Sequence, residues 1–100
     1  MTSFGQTPLS NSNQMHTVVR EPQYEEEFKT ITKDYDINKI EDLESAIDWA
    51  LSRNPYYFTN IVNDYFVWRS QQFSEFIPQL TILYKVNKNE VILLSVKVSE

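Results

Sequence analysis

The sequence predicts an α+β domain in which two helices pack on one face of a mostly antiparallel sheet of about four strands, in the order β-α-α-β-β-β. Apolar residues recur every three or four positions up to Pro55, as in helices, and every second position after it, as in strands. A polar turn, Asn87-Lys88-Asn89, separates the last two alternating runs and indicates a hairpin. These patterns fit a single domain.

The first fourteen residues differ in composition from the rest of the chain. They are rich in Ser, Thr, Asn and Gln and carry no periodic apolar pattern. Such a segment buries too little apolar surface to offset the entropy of ordering. We therefore expect a flexible tail over residues 1–14 and one folded domain over residues 15–100.

The first half of the domain predicts a short strand and two helices. Residues 16–19 form an apolar strand candidate, and residues 23–33 carry Tyr24, Phe28 and Ile31 on one helical stripe. In the second helix, Asn38 is the expected cap with Glu41 three positions later. Its apolar stripe consists of Ile40, Leu43, Ile47, Ala50 and Leu51. Asn54-Pro55 is expected to end it, because a residue before proline avoids the helical conformation.

Alternation in the second half assigns side chains to the two faces of the sheet. Strands are predicted at residues 65–69, 80–86 and 91–98, and a loop at residues 70–78. The set expected against the helices contains Phe66, Trp68, Leu80, Ile82, Tyr84, Val86, Ile92, Leu94, Val96 and Val98. Trp49 is likewise expected in the core. The open face is then expected to collect Tyr65, Arg69, Thr81, Lys85, Ser95 and Lys97.

Charge is unevenly distributed along the chain. Residues 21–48 hold ten acids and three bases, whereas residues 53–97 hold five bases and three acids. A net charge of −5 argues against a dedicated nucleic-acid binder. Two readings stay open: the acidic half is simply a solvated helical surface, or only the C-terminal half meets an anionic partner.

Residue types restrict the chemistry. The chain has no cysteine and a single histidine, His16, so we expect no metal site. It also has no glycine-rich loop that could bind a phosphate, so we expect no cofactor. His16 is expected at the surface. The chain carries no apolar stretch of membrane-spanning length and no secretory signal pattern, so a cytoplasmic location without membrane contact is expected.

The last hairpin resembles that of the RelE/ParE superfamily of toxin–antitoxin proteins. The likeness rests on residues 80–86, the polar turn and residues 91–96, together with the helix ending Trp49-Ala50-Leu51 before Asn54-Pro55. It covers about residues 15–98. The resemblance implies a small toxin neutralised by an antitoxin protein; many members cleave mRNA on the ribosome and others inhibit DNA gyrase. Where the family often has a strand arginine, this chain has Thr81.

The open face supplies the candidate residues for metal-independent RNA cleavage. Such cleavage needs proton-carrying groups and a cation beside the phosphate. Arg69 and Lys85 are candidates for the cations and Tyr65 for stacking or proton transfer, while Thr81 and Lys97 are candidate substrate contacts. Tyr84 matches the family's hairpin tyrosine but is expected in the core. The alternatives are a non-catalytic interaction domain with this fold and a gyrase-binding inhibitor.

Overall fold

Two helices and five strands make up the described part of the chain, residues 15–70 and 78–99 of a computed structural model. The predicted tail at residues 1–14 and most of the predicted loop, residues 71–77, lie outside the described residues. In chain order the elements are β1 (Thr17–Arg20), α1 (Pro22–Thr32), α2 (Ile37–Arg53), β2 (Thr59–Val62), β3 (Tyr65–Arg69), β4 (Leu80–Asn87) and β5 (Glu90–Val98).

The strands form one sheet in the order β1-β5-β4-β3-β2. All neighbouring strands are antiparallel except β1, which runs parallel to β5 and pairs only with its first part, from Glu90 to Leu93. The β4–β5 hairpin turns where the sequence predicts it, with Lys88 at a φ of 56°. The predicted α+β architecture with a mostly antiparallel sheet is confirmed.

The helices begin and end for local reasons. Pro22 stands in the first turn of α1, where its missing N–H costs nothing. The predicted cap of α2 is wrong by two residues: Asp36 is the N-cap, and its carboxylate accepts a hydrogen bond from the backbone N–H of Asn38 at 2.7 Å. Asn54, before Pro55, is the C-cap, as predicted.

The core lies between the helices and one face of the sheet. It contains Tyr24, Phe28, Leu43, Ile47, Leu51, Phe66, Trp68, Leu80, Ile82, Tyr84, Val86, Val91, Leu93 and Val96. Tyr84 is fully buried, as predicted, and its hydroxyl donates to the backbone carbonyl of Pro55. Its ring stacks on Phe66 at 5.6 Å between centroids. This contact fastens the segment after α2 to the middle of the sheet.

A β-bulge in β5 changes the face assignment of its first half. Tyr84 pairs with Leu93 and Leu83 with Ser95, so Leu94 has no residue opposite it. The buried residues are therefore Val91, Leu93 and Val96, while Ile92 and Leu94 are only partly buried and Val98 is exposed. Strict alternation predicts the wrong face for Ile92 and Leu94, because one extra residue at the bulge reverses the parity of the first half of β5. Val98 keeps the predicted parity opposite Leu80 but is exposed at the end of the strand.

Trp49 also departs from its predicted core position. Its side chain is 62% exposed, and the guanidinium of Arg53 lies 4.6 Å from its ring centroid. Ala50 and Leu51 continue the buried stripe instead. Consecutive residues of a helix point about 100° apart, and only part of an apolar run reaches the core.

The sheet has one strand more than the sequence predicts. β2 is short and exposed along its whole length, and within residues 15–70 and 78–99 it pairs only with β3. Its residues, Thr59 to Val62, lack the in–out alternation by which a strand is recognised, because neither of its faces is buried. No helix among the described residues is both long and apolar enough to cross a membrane.

Candidate functional site

The face of the sheet opposite the helices brings together the residues predicted for it. Three cross-strand rows run from β3 through β4 to β5: Tyr65–Lys85–Ile92, Val67–Leu83–Ser95 and Arg69–Thr81–Lys97. Residues that pair directly across a sheet project from the same face. The cross-strand pairs therefore confirm the prediction that these polar residues share the open face.

One row carries two cations around a hydroxyl. Arg69 and Lys97 are exposed and stand on either side of Thr81, in the strand between them. The Thr81 hydroxyl is hydrogen-bonded to that of Ser99, so a second hydroxyl lies at the same row. Two cations flanking two hydroxyls at one end of a sheet suit an oxyanion such as a phosphate. Ser99 is a contact that the strand pattern did not indicate.

The opposite row combines a phenol with a cation. Lys85 pairs with Tyr65, and its Nζ lies 5.7 Å from the centroid of the Tyr65 ring. Both side chains are partly buried. A cation within about 6 Å of an aromatic centroid is attracted to the ring. Tyr65 and Lys85 therefore form a pair with defined mutual positions.

The structure separates the two rows. Arg69 stands four residues beyond Tyr65 in β3, which at strand rise is about 13 Å. The pair Val67–Leu83 lies between them and makes the middle of the face apolar. Arg69 and Lys85 therefore share a face but belong to different rows of it.

Ser95 is engaged elsewhere. Its hydroxyl donates to the Glu27 carboxylate of α1 at 2.8 Å, and the backbone N–H of Val96 donates to the same oxygen at 2.9 Å. The pKa of Glu27 is lowered, first by the Val96 hydrogen bond, with smaller contributions from Ser95, Gln23 and Lys97. Glu27 contacts Ser95 and Val96, which follow it in the chain by 68 and 69 residues. No local pattern in the sequence indicates this contact.

The lone histidine lies away from this face. The backbone N–H of His16 donates to the carbonyl of Ser52 at 2.8 Å, and its ring meets Tyr56 edge-on at 5.8 Å between centroids. His16 is partly buried just before β1, the edge strand at the other end of the sheet from β2. Among the described residues, no group of three or more His, Cys, Asp or Glu side chains is placed to hold a metal ion.

Comparisons with known proteins give one informative match. Neither a family model nor a curated protein matches the chain. Among solved structures, it is similar to a chain in the crystal structure of the toxin–antitoxin complex RelBE2 from Mycobacterium tuberculosis. The TM-score is 0.63 at 14% identity, over 85% of this chain and 99% of that one. The order of elements and this likeness agree with the resemblance seen in the sequence. The chain has a RelE-like fold in a divergent form.

Proposed function

We propose that the chain is the toxin component of a toxin–antitoxin pair, neutralised by an antitoxin protein, and that its open sheet face binds mRNA on the ribosome. The observation that carries the proposal is the Arg69–Thr81–Lys97 row, which places two exposed cations and a hydroxyl on one face of a RelE-like fold. The similar solved structure is that of a toxin–antitoxin complex. The proposed place of action is the cytoplasm, where ribosomes translate.

The two rows would have different tasks in metal-independent cleavage. The 2′-hydroxyl attacks phosphorus, the bond to the 5′-oxygen breaks, one proton leaves the 2′-oxygen and one reaches the 5′-oxygen. Tyr65 supplies a proton-carrying group and Lys85 a cation for the charge that develops on the phosphate. Arg69, Thr81 and Lys97 hold a phosphate further along the strand, about 13 Å away.

The described face provides a candidate for only one of the two proton transfers. Tyr65 is its one phenol, and His16 lies elsewhere. The second transfer would fall to water or to a group of the ribosome. An incomplete proton-transfer machinery in the free protein supports activity that depends on the ribosome rather than on RNA alone.

Induction in growing cells tests this proposal. We expect growth arrest and new mRNA 5′ ends within codons, and we expect the double variant Arg69→Ala/Lys85→Ala to relieve both. The matched control is Lys29→Ala/Lys39→Ala, which removes two exposed cations from the helices and leaves the sheet unchanged. Co-expression of a short neighbouring reading frame that suppresses the arrest would identify the antitoxin.

A second candidate is a non-catalytic interaction domain with the same fold. The observation that favours it is the apolar Val67–Leu83 pair, which divides the cations of the face. A chain that is harmless at high expression and leaves mRNA intact would support this candidate and contradict the first. Growth arrest with intact mRNA and impaired DNA supercoiling would instead indicate a gyrase inhibitor.

A further inference from the structure

Among the residues that the structure describes, the sheet ends at β2, and this edge is apolar and uncharged. Half of the large apolar side chains that are exposed in the described part of the chain lie within residues 56–62, namely Tyr56, Tyr57, Ile61 and Val62. No charged residue occurs from Asn54 to Asn63, in a chain of net charge −5. Soluble proteins commonly protect an edge strand with lysine, proline or a cover, and β2 carries neither lysine nor proline.

Backbone hydrogen-bonding groups point outward at this edge. Ser70 N–H donates to Leu80 and Val86 N–H donates to Asp64, so the even-numbered residues of β3 face β4. The direction of the backbone N–H and C=O groups alternates along a strand. Those of Tyr65 and Val67 therefore point towards β2, opposite Val62 and Thr59. Asn60, between them, directs its N–H and C=O away from the sheet.

A groove lies beside the start of β2. It has a volume of about 760 Å³ and is lined by Trp49, Ala50, Phe58, Thr59, Val67, Trp68 and Arg69. Its walls are mainly apolar, and Arg69 gives it positive charge, with Arg53 stacked on Trp49 at its side. The groove therefore suits an apolar segment that carries a carboxylate.

The β2–β3 turn of a second copy has this chemistry. Ile61 and Val62 are each 54% exposed and are followed by Asp64 in the turn. Antiparallel pairing of two β2 strands about a two-fold axis at Asn60 sets Val62 of the second copy opposite Phe58. It also brings Asp64 of that copy towards the Arg69 end of β2. The contact is self-complementary in shape and in charge.

We propose that two copies of this chain pair through β2 into a ten-stranded sheet, with the β2–β3 turn of each copy seated in the groove of the other. The pairing satisfies the outward N–H and C=O of Asn60 and covers Tyr56, Tyr57, Ile61 and Val62. It leaves Thr81 and Lys97 on the open face of each copy, while Arg69 lies at the edge of the contact. It does not depend on the proposed toxin activity.

Sedimentation of the full chain at about 1 μM to about 1 mM tests the pairing. We expect a concentration-dependent dimer, and Ile61→Lys should raise its dissociation constant at least about tenfold. Ile37→Lys is the matched control, since Ile37 is 63% exposed at the start of α2, and it should leave the dimer unchanged. Far-UV circular dichroism checks that each variant is folded.

A cysteine cross-link locates the contact. The chain has no cysteine, and paired residues at the two-fold axis lie at a Cα separation that a disulfide can span. Asn60→Cys should give a covalent dimer under mild oxidation and Ile37→Cys should not. A chain that stays monomeric, or a dimer that persists with Ile61→Lys, would overturn the proposal. A monomer whose edge is protected only by an added antitoxin would assign the surface to that partner instead.

Discussion

The carboxylate of Glu27 in α1 accepts a hydrogen bond from the backbone N–H of Val96 in β5, with 2.9 Å between Oε1 and N. β1 pairs with β5 only as far as Leu93, so Val96 lies where the strand has lost its neighbour. The Glu27 carboxylate thus accepts the hydrogen bond of a backbone N–H that lies beyond the reach of β1. The Ser95 hydroxyl binds the same oxygen.

The first prediction concerns Glu27 and pH. Its pKa is lowered in the folded protein, so its contribution to stability is fully present well above about pH 4.5 and is lost as the pH falls through its folded pKa. Urea unfolding at several pH values should show a smaller acid-induced loss of stability for Glu27→Gln than for the unmodified chain. Glu26→Gln, on the same helix and exposed, is the control. Parallel pH profiles for all three proteins would contradict the assignment.

A second prediction tests the bulge. Leu93 is fully buried and Ile92 only partly so, although strict alternation predicts the reverse. Leu93→Ala should lower the free energy of unfolding by about 2–5 kcal/mol, because it leaves a cavity in the core. Ile92→Ala should cost less, since its side chain lies on the open face. Chemical denaturation compares the two, and an equal or larger loss for Ile92→Ala would mean that the register is wrong.

A third prediction tests whether Tyr84 serves packing or takes part in the reaction. Tyr84→Phe keeps the ring but removes the donor to the Pro55 carbonyl, which stays buried. Leaving a buried acceptor unpaired costs about 1–3 kcal/mol, and thermal and urea unfolding should show a loss of that size. Growth arrest at low temperature, where the variant is folded, should persist. Loss of arrest in a fully folded Tyr84→Phe protein would show that this tyrosine acts in the reaction.

A fourth prediction follows from the separation of the two rows on the open face. The rows that contain Arg69 and Lys85 lie about 13 Å apart along the backbone of β3, beyond the range in which substitutions usually interact. The effects of Arg69→Ala and Lys85→Ala on RNA cleavage by ribosome complexes should therefore add as free energies. Arg69→Ala and Lys97→Ala, which flank Thr81, should instead be non-additive. Strong coupling between Arg69 and Lys85 would place them on one phosphate and contradict the two-row arrangement.

Local patterns predict those parts of the fold that depend on neighbouring residues. The change of period at Pro55, the end of α2 and the turn at Lys88 all follow from sequence, and the alternation of β3 and β4 correctly separates Tyr65 and Lys85 from Phe66 and Tyr84. In each case the property is decided within a few residues. The sequence pattern does not distinguish Asp36 from Asn38 as the cap of α2, because both have side chains that can accept the capping hydrogen bond.

The candidate site was predicted only as a set of residues on one face. Alternation places Arg69, Thr81 and Lys85 on the same face. It does not tell which residues of neighbouring strands lie opposite each other. Only the pairing register shows that Lys85 stands beside Tyr65 and that Arg69 stands beside Thr81. The exposure of Trp49 likewise depends on where α2 meets the sheet.

The sequence alone predicts an α+β domain with acidic helices and a more basic sheet, because the spacing of apolar residues and the distribution of charge are properties of short segments. Tertiary structure decided the rest: the bulge at Leu94, the edge strand β2, and the Glu27 contact with Val96. Each of these depends on residues that are distant in the chain and meet only in the folded state. Long-range pairing, unlike local propensity, has no periodic signal in the sequence.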